Sequence, residues 1–589
     1  MLYPVTNANR SVYQLSGLWN FRLCKDAAWQ PIAVPASYND QLISADDRNH
    51  CGTAEYRTTF TLPLSMMGQR CVLRFDAVTH DAEVYLDGAW IGGHRGGFLP
   101  FEMDITDLIK PGRRADLSVR VDNRIHHATL PVGNEQGIAF FGSDNPGIPS
   151  VEQAKALRKP QNLPNFDFFN YAGITRPVRI YTTPMHYIDD ITIIPSIEGK
   201  DGLVHYDVSV VGNGAVEVTI LDDAGTPVAE GNGASGTLRI QNAELWWPWP
   251  RRPYLYTMRV RFEEDVYELP FGVRTVAVCG ERFLLNGQPF YFKGPGKHED
   301  SPIHGRGLDP CYNVKDAALF HWIHANSFRT SHYPYAEEMY QLCDREGIVM
   351  IDEAPAVGIN MQGQLNPYRE CTLAEYHAQV LKDMISRDKN HPCVVMWSLG
   401  NEPDTEHFPQ DAYDYWHALY EKAHALDPQN RPVTLVCCQN DYTQDITTRT
   451  MDVICINRYY GWYNLSGDLQ SARDALNTEL RFWSRIQKPV ILSEYGADTL
   501  PGYHSATAEM FTEEFQVEYY KTMNECLDAC GFVVGEQPWC FADFETQQGP
   551  MRAGGNHKGL FTRTRQPKLA AHFFRERWGK IDSFCEKKT

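Results

Sequence analysis

The chain has 589 residues, 43% of them hydrophobic and 12% aromatic, and it carries a formal net charge of -19 at pH 7. This length exceeds what one hydrophobic core supports and predicts several domains of ordinary globular composition. The negative charge argues against nucleic acid or an anionic membrane surface as a partner. No apolar run approaches the length that spans a bilayer, so no membrane segment is expected.

The 15 cysteines are scattered without the paired spacing of a metal site. In a chain this long they predict buried, reduced thiols and a cytoplasmic location. Residues 1–7 contain neither the basic nor the apolar segment of a secretory signal, so we expect none. No phosphate-binding loop, dinucleotide fingerprint or metal-ligand cluster occurs, and we therefore expect neither a cofactor nor a metal.

Residues 1–182 are predicted to form an all-β domain of the jelly-roll type. Short alternations of apolar and polar residues recur at 72–75 and 117–121, and an Asp-Gly pair at 87–88 between two apolar segments is a strong hairpin signal. Many short strands with few helical periods are typical of a β-sandwich. The stretch 125–165, rich in Pro, Gly and Asn, is predicted to be a long loop.

Residues 183–275 are predicted to form an immunoglobulin-like β-sandwich. Alternating segments at 204–210 and 216–220 are separated by Gly and Asn turns, and a domain of roughly 100 residues fits that architecture. No catalytic pattern occurs in this region. We interpret it as a spacer.

From residue 276 to residue 589 the pattern changes to strands that alternate with helices, which indicates a parallel α/β fold. Eight strands are predicted, the number in a TIM barrel. They lie at 289–294, 327–332, 347–353, 394–400, 433–438, 453–458, 490–495 and 533–539. The multidomain fold is therefore predicted to be a jelly roll, an immunoglobulin-like sandwich and a catalytic (β/α)8 TIM barrel.

Two helices of this barrel have clear apolar periodicity. In 373–389 apolar residues recur three or four positions apart, and Thr372 with Glu375 predicts a capping box at the helix start. The second helix, between the last two strands, has Phe511, Phe515, Tyr519 and Met523 at the same spacing.

Two glutamates follow buried strands of the predicted barrel. The apolar fourth strand gives way to Gly-Asn-Glu-Pro at 400–403, and the seventh ends in Ser-Glu at 493–494. Such barrels hold their catalytic side chains at the C-terminal ends of the strands. Two carboxylates that face each other there, about 5–5.5 Å apart, suit a retaining glycosidase. We therefore predict Glu402 and Glu494 as the catalytic pair.

Motifs along the whole chain resemble glycoside hydrolase family 2. The general family motifs are 17–19 (Gly-Leu-Trp), 329–334 (Arg-Thr-Ser-His-Tyr-Pro), 401–403 (Asn-Glu-Pro) and 493–496 (Ser-Glu-Tyr-Gly). More narrowly, 75–80, 168–174 and 457–463 resemble the bacterial-type β-glucuronidase group of that family. The resemblance implies a retaining hydrolase with Glu402 as acid/base and Glu494 as nucleophile. It also implies a homotetramer.

The resemblance further implies which residues bind the sugar. Asn401 is expected to bind the 2-hydroxyl, Asp167 to reach from the jelly-roll loop to a sugar hydroxyl, and Tyr459 to lie beside the nucleophile. The other residues implied as substrate-binding are Asn457, Tyr463 and Trp539.

A candidate anion site lies near the C-terminus. The family group carries an Asn-x-Lys pattern after the eighth strand, matched here by Asn556 and Lys558, and the pair is implied to hold the carboxylate of a uronic acid. A uronate needs a cation and a hydrogen-bond donor, and Arg552 lies four residues before Asn556. The implied substrate is a small-molecule or oligosaccharide β-D-glucuronide.

Three alternatives stay open at this point. A β-galacturonidase or mixed uronidase uses the same carboxylate recognition, because the two uronates differ only in C4 configuration. A neutral-sugar β-galactosidase or β-mannosidase has no use for the Asn-x-Lys pair. An inactive sugar-binding protein is disfavoured because both glutamates are present. The short connection 354–372 predicts an open leaving-group side that accepts bulky conjugates.

Overall fold

The computed structural model of the protein describes residues 1–23, 27–133 and 161–584. Most of the predicted loop 125–165 lies outside the described residues, and its described flanks, 125–133 and 161–165, contain no helix and no extended strand. No helix in the described ranges is both long enough and apolar enough to cross a membrane. Within those ranges the structure contains no disulfide bond between cysteines.

The N-terminal part of the chain is a sandwich of two antiparallel sheets, as predicted. Apolar side chains from both sheets fill the space between them. One sheet contains the strands Val12–Gln14, Val178–Thr183, Arg70–Phe75 and Phe101–Asp104. The other contains Gln30–Val34, Gly17–Arg22, Thr53–Thr61, Arg114–Asp122, Asp81–Leu86 and Ala89–Arg95.

The predicted hairpin at 87–88 is confirmed. Leu86 lies opposite Ala89 in the antiparallel ladder, and the two turn residues Asp87 and Gly88 have φ of 49° and 82°. A turn with positive φ at both central residues matches the right-handed twist of the flanking strands. Glycine at the second position and aspartate at the first tolerate that conformation.

The next part of the chain is a second, smaller sandwich with its own apolar core. Its first sheet contains Tyr187–Glu198, Asp201–Val211 and Ser235–Ile240. Its second contains Pro227–Asn232, Val216–Leu221, Tyr256–Phe262 and Asp265–Phe271. A small antiparallel sheet, Val276–Cys279, Arg282–Leu285 and Gln288–Pro289, then leads into the barrel.

The barrel is a closed parallel sheet whose first strand is split. The pieces Phe292–Lys293 and Gly296–Lys297 pair with the eighth and the second strand respectively, and so close the sheet. The break falls at Gly294 and Pro295, because proline has no N–H to give to the ladder. The remaining barrel strands are Ser327–Thr330, Val349–Glu353, Val394–Asn401, Val433–Cys437, Ile454–Asn457, Val490–Glu494 and Val533–Glu536.

Helices surround the barrel between its strands. Those in the described residues are Pro310–Trp322, Glu337–Glu346, Pro367–Glu370, Ala374–Asp388, Pro409–Leu426, Leu469–Trp483, Glu513–Asp528 and Leu569–Lys580, whereas the short helix Ala45–Arg48 belongs to the first sandwich. The predicted capping box at Thr372 is wrong, because Leu373 is the N-cap of Ala374–Asp388 and no side chain caps that helix. In Glu513–Asp528 the side chains of Phe515, Tyr519 and Met523 are buried as predicted, whereas Phe511 lies before the helix and is exposed.

The first sandwich contributes a segment to the barrel mouth. The Asn165 side-chain amide donates to the backbone oxygens of Gly358 at 2.7 Å and Asn360 at 2.6 Å. Further along, the Phe169 amide donates to the Glu545 carbonyl at 2.9 Å. Both barrel partners lie in loops after strands, so the segment between the two anchors is held at the C-terminal end of the barrel.

Candidate active site

A cavity lies at the C-terminal ends of the barrel strands. Eight predicted site residues line it: Asp167, Asn401, Glu402, Tyr459, Tyr463, Glu494, Trp539 and Asn556. The other three, Asn457, Arg552 and Lys558, do not line the cavity but donate hydrogen bonds to residues that do. The structure thus brings all eleven predicted residues into one site.

Glu402 follows directly after the fourth barrel strand and has an unusual backbone. Its φ is 53°, in the left-handed region that residues other than glycine adopt at a cost. Its amide donates to the Val436 carbonyl at 2.8 Å, which fixes the turn against the fifth strand. The fold therefore holds the Glu402 side chain at the cavity rather than letting the chain continue as an ordinary strand.

Glu494, at the end of the seventh strand, is held by two donors. Tyr459 donates its hydroxyl to Oε2 at 2.7 Å, and Arg329 donates Nη2 to Oε1. Nη1 of Arg329 is 2.8 Å from both oxygens of Glu353. One buried guanidinium is therefore shared by two carboxylates, an arrangement that the sequence motif 329–334 did not reveal.

The Glu402 carboxyl is strongly biased toward its neutral form. Burial and then the nearby charge of Glu494 raise its pKa from 4.5 to about 8. The Asn457 amide, which donates to Glu402 Oε1 at 2.8 Å, opposes this shift and lowers the pKa. Near neutral pH the site thus contains a protonated carboxyl beside a second carboxyl that two donors hold, which is the chemistry of a proton donor and a nucleophile.

The Asn-x-Lys region forms a second polar cluster at the cavity edge. Lys558 is fully buried, where it donates to the Tyr463 hydroxyl at 2.8 Å and forms an ion pair with Asp498. Arg552 donates to the same hydroxyl at 2.7 Å. Two cations therefore converge on one hydroxyl group that lines the cavity.

The cations of this cluster are matched by two acids. Arg552 Nε lies 2.9 Å from Asp167 Oδ1, and Asn556 donates its amide to Asp167 Oδ2 at 2.9 Å. Burial, the largest single influence, lowers the pKa of Lys558, but Asp498 together with Tyr463 and Asp167 raises it overall. Burial likewise raises the pKa of Asp498, but Lys558 and Arg552 outweigh it and lower it. All four charges are thus stabilised together.

Asp498 is the member of this cluster that sequence reasoning missed. It lies four residues after Glu494, beyond the motif at 493–496. Its partners Arg552 and Lys558 are more than fifty positions away in the chain. The available sequence signal was an acidic residue shortly after the barrel strand that ends in Glu494. Acidic residues are also common at such positions in ordinary loops.

Aromatic rings and amides complete the cavity. The ring of Trp539 stacks on His332 with centroids 5.2 Å apart, and the rings of Tyr459 and Tyr463 lie 5.1 Å apart. The Asn401 Oδ1 atom accepts from Asn457 at 3.2 Å. Such walls of rings with a few polar groups suit a sugar, which offers both apolar faces and hydroxyls.

One group of side chains elsewhere has donor types that suit a metal. Asp344, His391 and Cys393 approach one another at the N-terminal end of the fourth barrel strand, opposite the cavity. Asp344 Oδ2 already bonds His391 Nδ1, and its Oδ1 accepts from the Cys393 amide at 3.0 Å. These contacts account for the cluster as a structural network, and we assign no metal to it.

Family sequence models match nearly the whole chain. The model described as "Glycosyl hydrolases family 2, TIM barrel domain" matches residues 276–583. Residues 12–184 match "Glycosyl hydrolases family 2, sugar binding domain", and residues 186–274 match "Glycosyl hydrolases family 2".

Individual relatives are similar over their full length. A protein named beta-glucuronidase from Paenibacillus borealis is 44% identical, with 100% of both chains covered. The solved beta-glucuronidase of Faecalibacterium prausnitzii is 59% identical, with a TM-score of 0.97 over 99% of this chain and 100% of that one. The beta-glucuronidase of Bifidobacterium dentium, solved with coumarin-3-O-glucuronide, is 52% identical, with a TM-score of 0.96 and full coverage of both chains.

Proposed function

The chain belongs to glycoside hydrolase family 2, and from that premise we propose that it hydrolyses β-D-glucuronides with retention of configuration. The relatives just described bear the name beta-glucuronidase. For this chain the proposal depends on one observation. The protonated carboxyl of Glu402 and the hydrogen-bonded carboxyl of Glu494 lie in the same site as two buried cations, Arg552 and Lys558. A neutral sugar offers those cations hydroxyl groups but no anionic group to pair with.

In the first step Glu402 is the general acid and Glu494 the nucleophile. The Glu402 proton passes to the glycosidic oxygen, and the electron pair of the breaking C1–O bond leaves with the aglycone. An oxygen of Glu494 forms the new bond to C1, giving a covalent glycosyl-enzyme. The donors Tyr459 and Arg329 hold the two oxygens of Glu494 and orient them before attack.

In the second step Glu402 acts as the general base. Glu494 loses its negative charge when it is esterified, so one of the causes that raises the pKa of Glu402 disappears. The ionised Glu402 then takes a proton from water, whose oxygen attacks C1 and releases Glu494 as a carboxylate. Two displacements at C1 give net retention.

Recognition of the uronate carboxylate is assigned to Asn556, Lys558 and Arg552, with the Tyr463 hydroxyl between the two cations. A buried charge-assisted hydrogen bond is about twice as strong as a neutral one. In a chain of net charge -19, this local pair of cations is what makes an anionic substrate acceptable. Lys558 is held by Asp498, so it is ordered before substrate arrives.

The remaining predicted residues receive roles at the sugar ring. Asn401 is proposed to bind the 2-hydroxyl, a contact that strengthens in the transition state. Asp167 is proposed to bind a sugar hydroxyl, and Trp539 to cover the ring face. The short connection 354–372 supports acceptance of bulky aglycones.

Three organisational predictions belong to the same proposal. The division into 1–182, 183–275 and 276–589 is supported by the residues that the three family models match. A homotetramer and a cytoplasmic location remain predictions from the sequence. Sedimentation velocity measures the oligomeric state, and cell fractionation measures the location.

The stereochemical outcome tests the reaction. Proton NMR during cleavage of nitrophenyl β-D-glucuronide is expected to detect the β-anomer of glucuronic acid first, followed by mutarotation. Appearance of the α-anomer first contradicts a double displacement. Absence of cleavage contradicts the proposed substrate.

A further inference from the structure

A directed chain of hydrogen bonds runs beside the two carboxyls. Arg329 Nη1 donates to Asn401 Oδ1 at 3.5 Å, and Asn457 Nδ2 donates to that same oxygen at 3.2 Å. Nδ2 of Asn457 also donates to Glu402 Oε1 at 2.8 Å. At the other end Ser493 donates its hydroxyl to Asn457 Oδ1 at 2.9 Å. Ser493 and Asn457 are both buried.

The direction of this chain is fixed by its one obligatory donor. A guanidinium donates and never accepts, and the carboxylates of Glu353 and Glu494 hold Arg329 in position. Asn401 must therefore turn its carbonyl oxygen toward Arg329, and so presents that oxygen to Asn457 as well. Asn457 donates its amide nitrogen to that oxygen, and its own carbonyl oxygen therefore faces Ser493.

The two oxygens of Glu402 are consequently not equivalent. Oε1 accepts from Asn457, whereas Oε2 has no hydrogen-bond partner within the part of the chain that the structure describes, and Glu402 lines the cavity. The carbonyl oxygen of a carboxylic acid accepts hydrogen bonds better than its hydroxyl oxygen does. A neutral Glu402 thus keeps Oε1 as the carbonyl and carries its proton on Oε2.

We propose that Asn457, oriented by Ser493, is a positioning residue that keeps the acid proton on the cavity-facing oxygen of Glu402. The inference rests on the proposed function and assigns a role to Ser493, which the sequence did not single out. It also gives Asn457, which does not line the cavity, a role other than substrate binding. In the bond-breaking step the proton leaves Oε2 for the glycosidic oxygen, while Oε1 keeps its bond to Asn457.

Without Asn457 the carboxyl turns freely and its proton is divided between the two oxygens. The rate of glycosidic bond cleavage then falls most for the leaving groups that most need protonation. An alkoxide is a poor leaving group and needs the proton, whereas dinitrophenolate leaves without it. A merely structural defect lowers both reactions alike, so the ratio of the two substrates isolates the positioning role.

The test compares methyl and 2,4-dinitrophenyl β-D-glucuronide by kcat/KM, which reports the bond-breaking step. For Asn457→Ala we expect a loss of about 100-fold on the methyl substrate and less than about threefold on the dinitrophenyl substrate. For Ser493→Ala, which removes only a hydroxyl, we expect a loss of about tenfold on the methyl substrate and again a much smaller loss on the dinitrophenyl substrate. Thr434→Val is the matched control, because it removes a buried hydroxyl that donates to the Val453 carbonyl at 2.7 Å and lies beside the Cys455 thiol, away from Asn457 and Glu402.

The possible outcomes separate this inference from its premise. Equal losses on both substrates in Ser493→Ala and Asn457→Ala, with unchanged unfolding temperatures, overturn the positioning role. If Asn457→Ala does not fold, Ser493→Ala alone decides, and an unchanged methyl-glucuronide kcat/KM in that variant also overturns the proposal. Failure of the unmodified protein to cleave either glucuronide contradicts the proposed function itself.

Discussion

Two polar regions share the barrel mouth but balance their charges in opposite ways. Around Glu402 and Glu494, the buried cation Arg329 serves the carboxylates of Glu353 and Glu494, and the charges of Arg329 and Arg458 lower the pKa of Glu402 less than burial and Glu494 raise it. Around the Asn-x-Lys segment, two cations meet two acids, Arg552 with Asp167 and Lys558 with Asp498.

The difference explains how one cavity supplies a proton and also binds an anion. In the first region burial, and after it the charge of Glu494, raises the pKa of Glu402 to about 8 and keeps this carboxyl neutral. In the second region every charge has a partner, so the pKa of Lys558 stays high and that of Asp498 stays low. The first region is therefore set to exchange a proton, and the second to stay ionised across the working pH range.

The largest expected effect comes from removing the nucleophile. Glu494→Ala should lower hydrolysis of nitrophenyl β-glucuronide by about 10⁴-fold or more, since no other group forms the covalent intermediate. Azide should partly restore turnover by entering the space of the missing carboxyl and give the inverted glycosyl azide. Glu509→Gln changes an exposed glutamate and serves as control. Full activity in Glu494→Ala excludes Glu494 from the mechanism.

The second largest effect is expected from removing the Lys558 charge from the ion-paired region. Lys558→Met should lower kcat/KM for the glucuronide by about 100-fold, the value of a charge-assisted hydrogen bond. The matched β-glucoside has no carboxylate and should be affected far less. Because this change removes one of the two cations that pair with buried Asp498, the double variant Lys558→Met with Asp498→Asn checks that the loss is specific. An equal loss on both substrates refutes carboxylate recognition.

The third effect is the pH dependence that follows from the first region. Since Glu402 must be protonated to act as acid, kcat/KM should fall about tenfold per pH unit above pH 8. The same raised pKa means that ionising Glu402 opposes folding. Its contribution to the free energy of unfolding is present below the pKa of a free glutamate and is lost as pH rises through about 8. An alkaline limb that begins near pH 5 contradicts the raised pKa.

The smallest effect tests the link between the first sandwich and the barrel. Asp167→Asn keeps the shape of the side chain but removes the charge that faces Arg552. We expect KM for the glucuronide to rise about tenfold with kcat little changed. Asp116→Asn, which loses an exposed pair with Arg57 in the same sandwich, is the control and should alter neither constant. Equal behaviour of the two variants removes Asp167 from substrate binding.

Sequence patterns were sufficient for the architecture because each signal was local. The hairpin at 87–88, the apolar strands 394–401 and 490–494, and the helix 513–528 follow from residues that are neighbours in the chain. The boundary errors have local causes too. Pro295 divides the first barrel strand, and Leu373 rather than Thr372 is the N-cap of the helix that begins at Ala374.

The site was predictable only where a motif reports it. Glu402, Glu494 and the Asn-x-Lys pair stand in recognisable sequences, whereas Asp498 and the bridging role of Arg329 depend on contacts between distant strands. A contact of that kind leaves no periodic trace in one sequence. The same reason explains why Ser493 was seen only as part of a motif and not as the donor that orients Asn457.

The central claim is that the buried cations at the barrel mouth select a glucuronide. The direct measurement is kcat/KM for the nitrophenyl β-D-glucuronide, β-D-galacturonide and β-D-galactoside under one set of conditions. The account predicts that the glucuronide is the best substrate and that both uronides exceed the galactoside. The galactoside as best substrate contradicts it, and the galacturonide as best substrate moves the assignment to the other uronate.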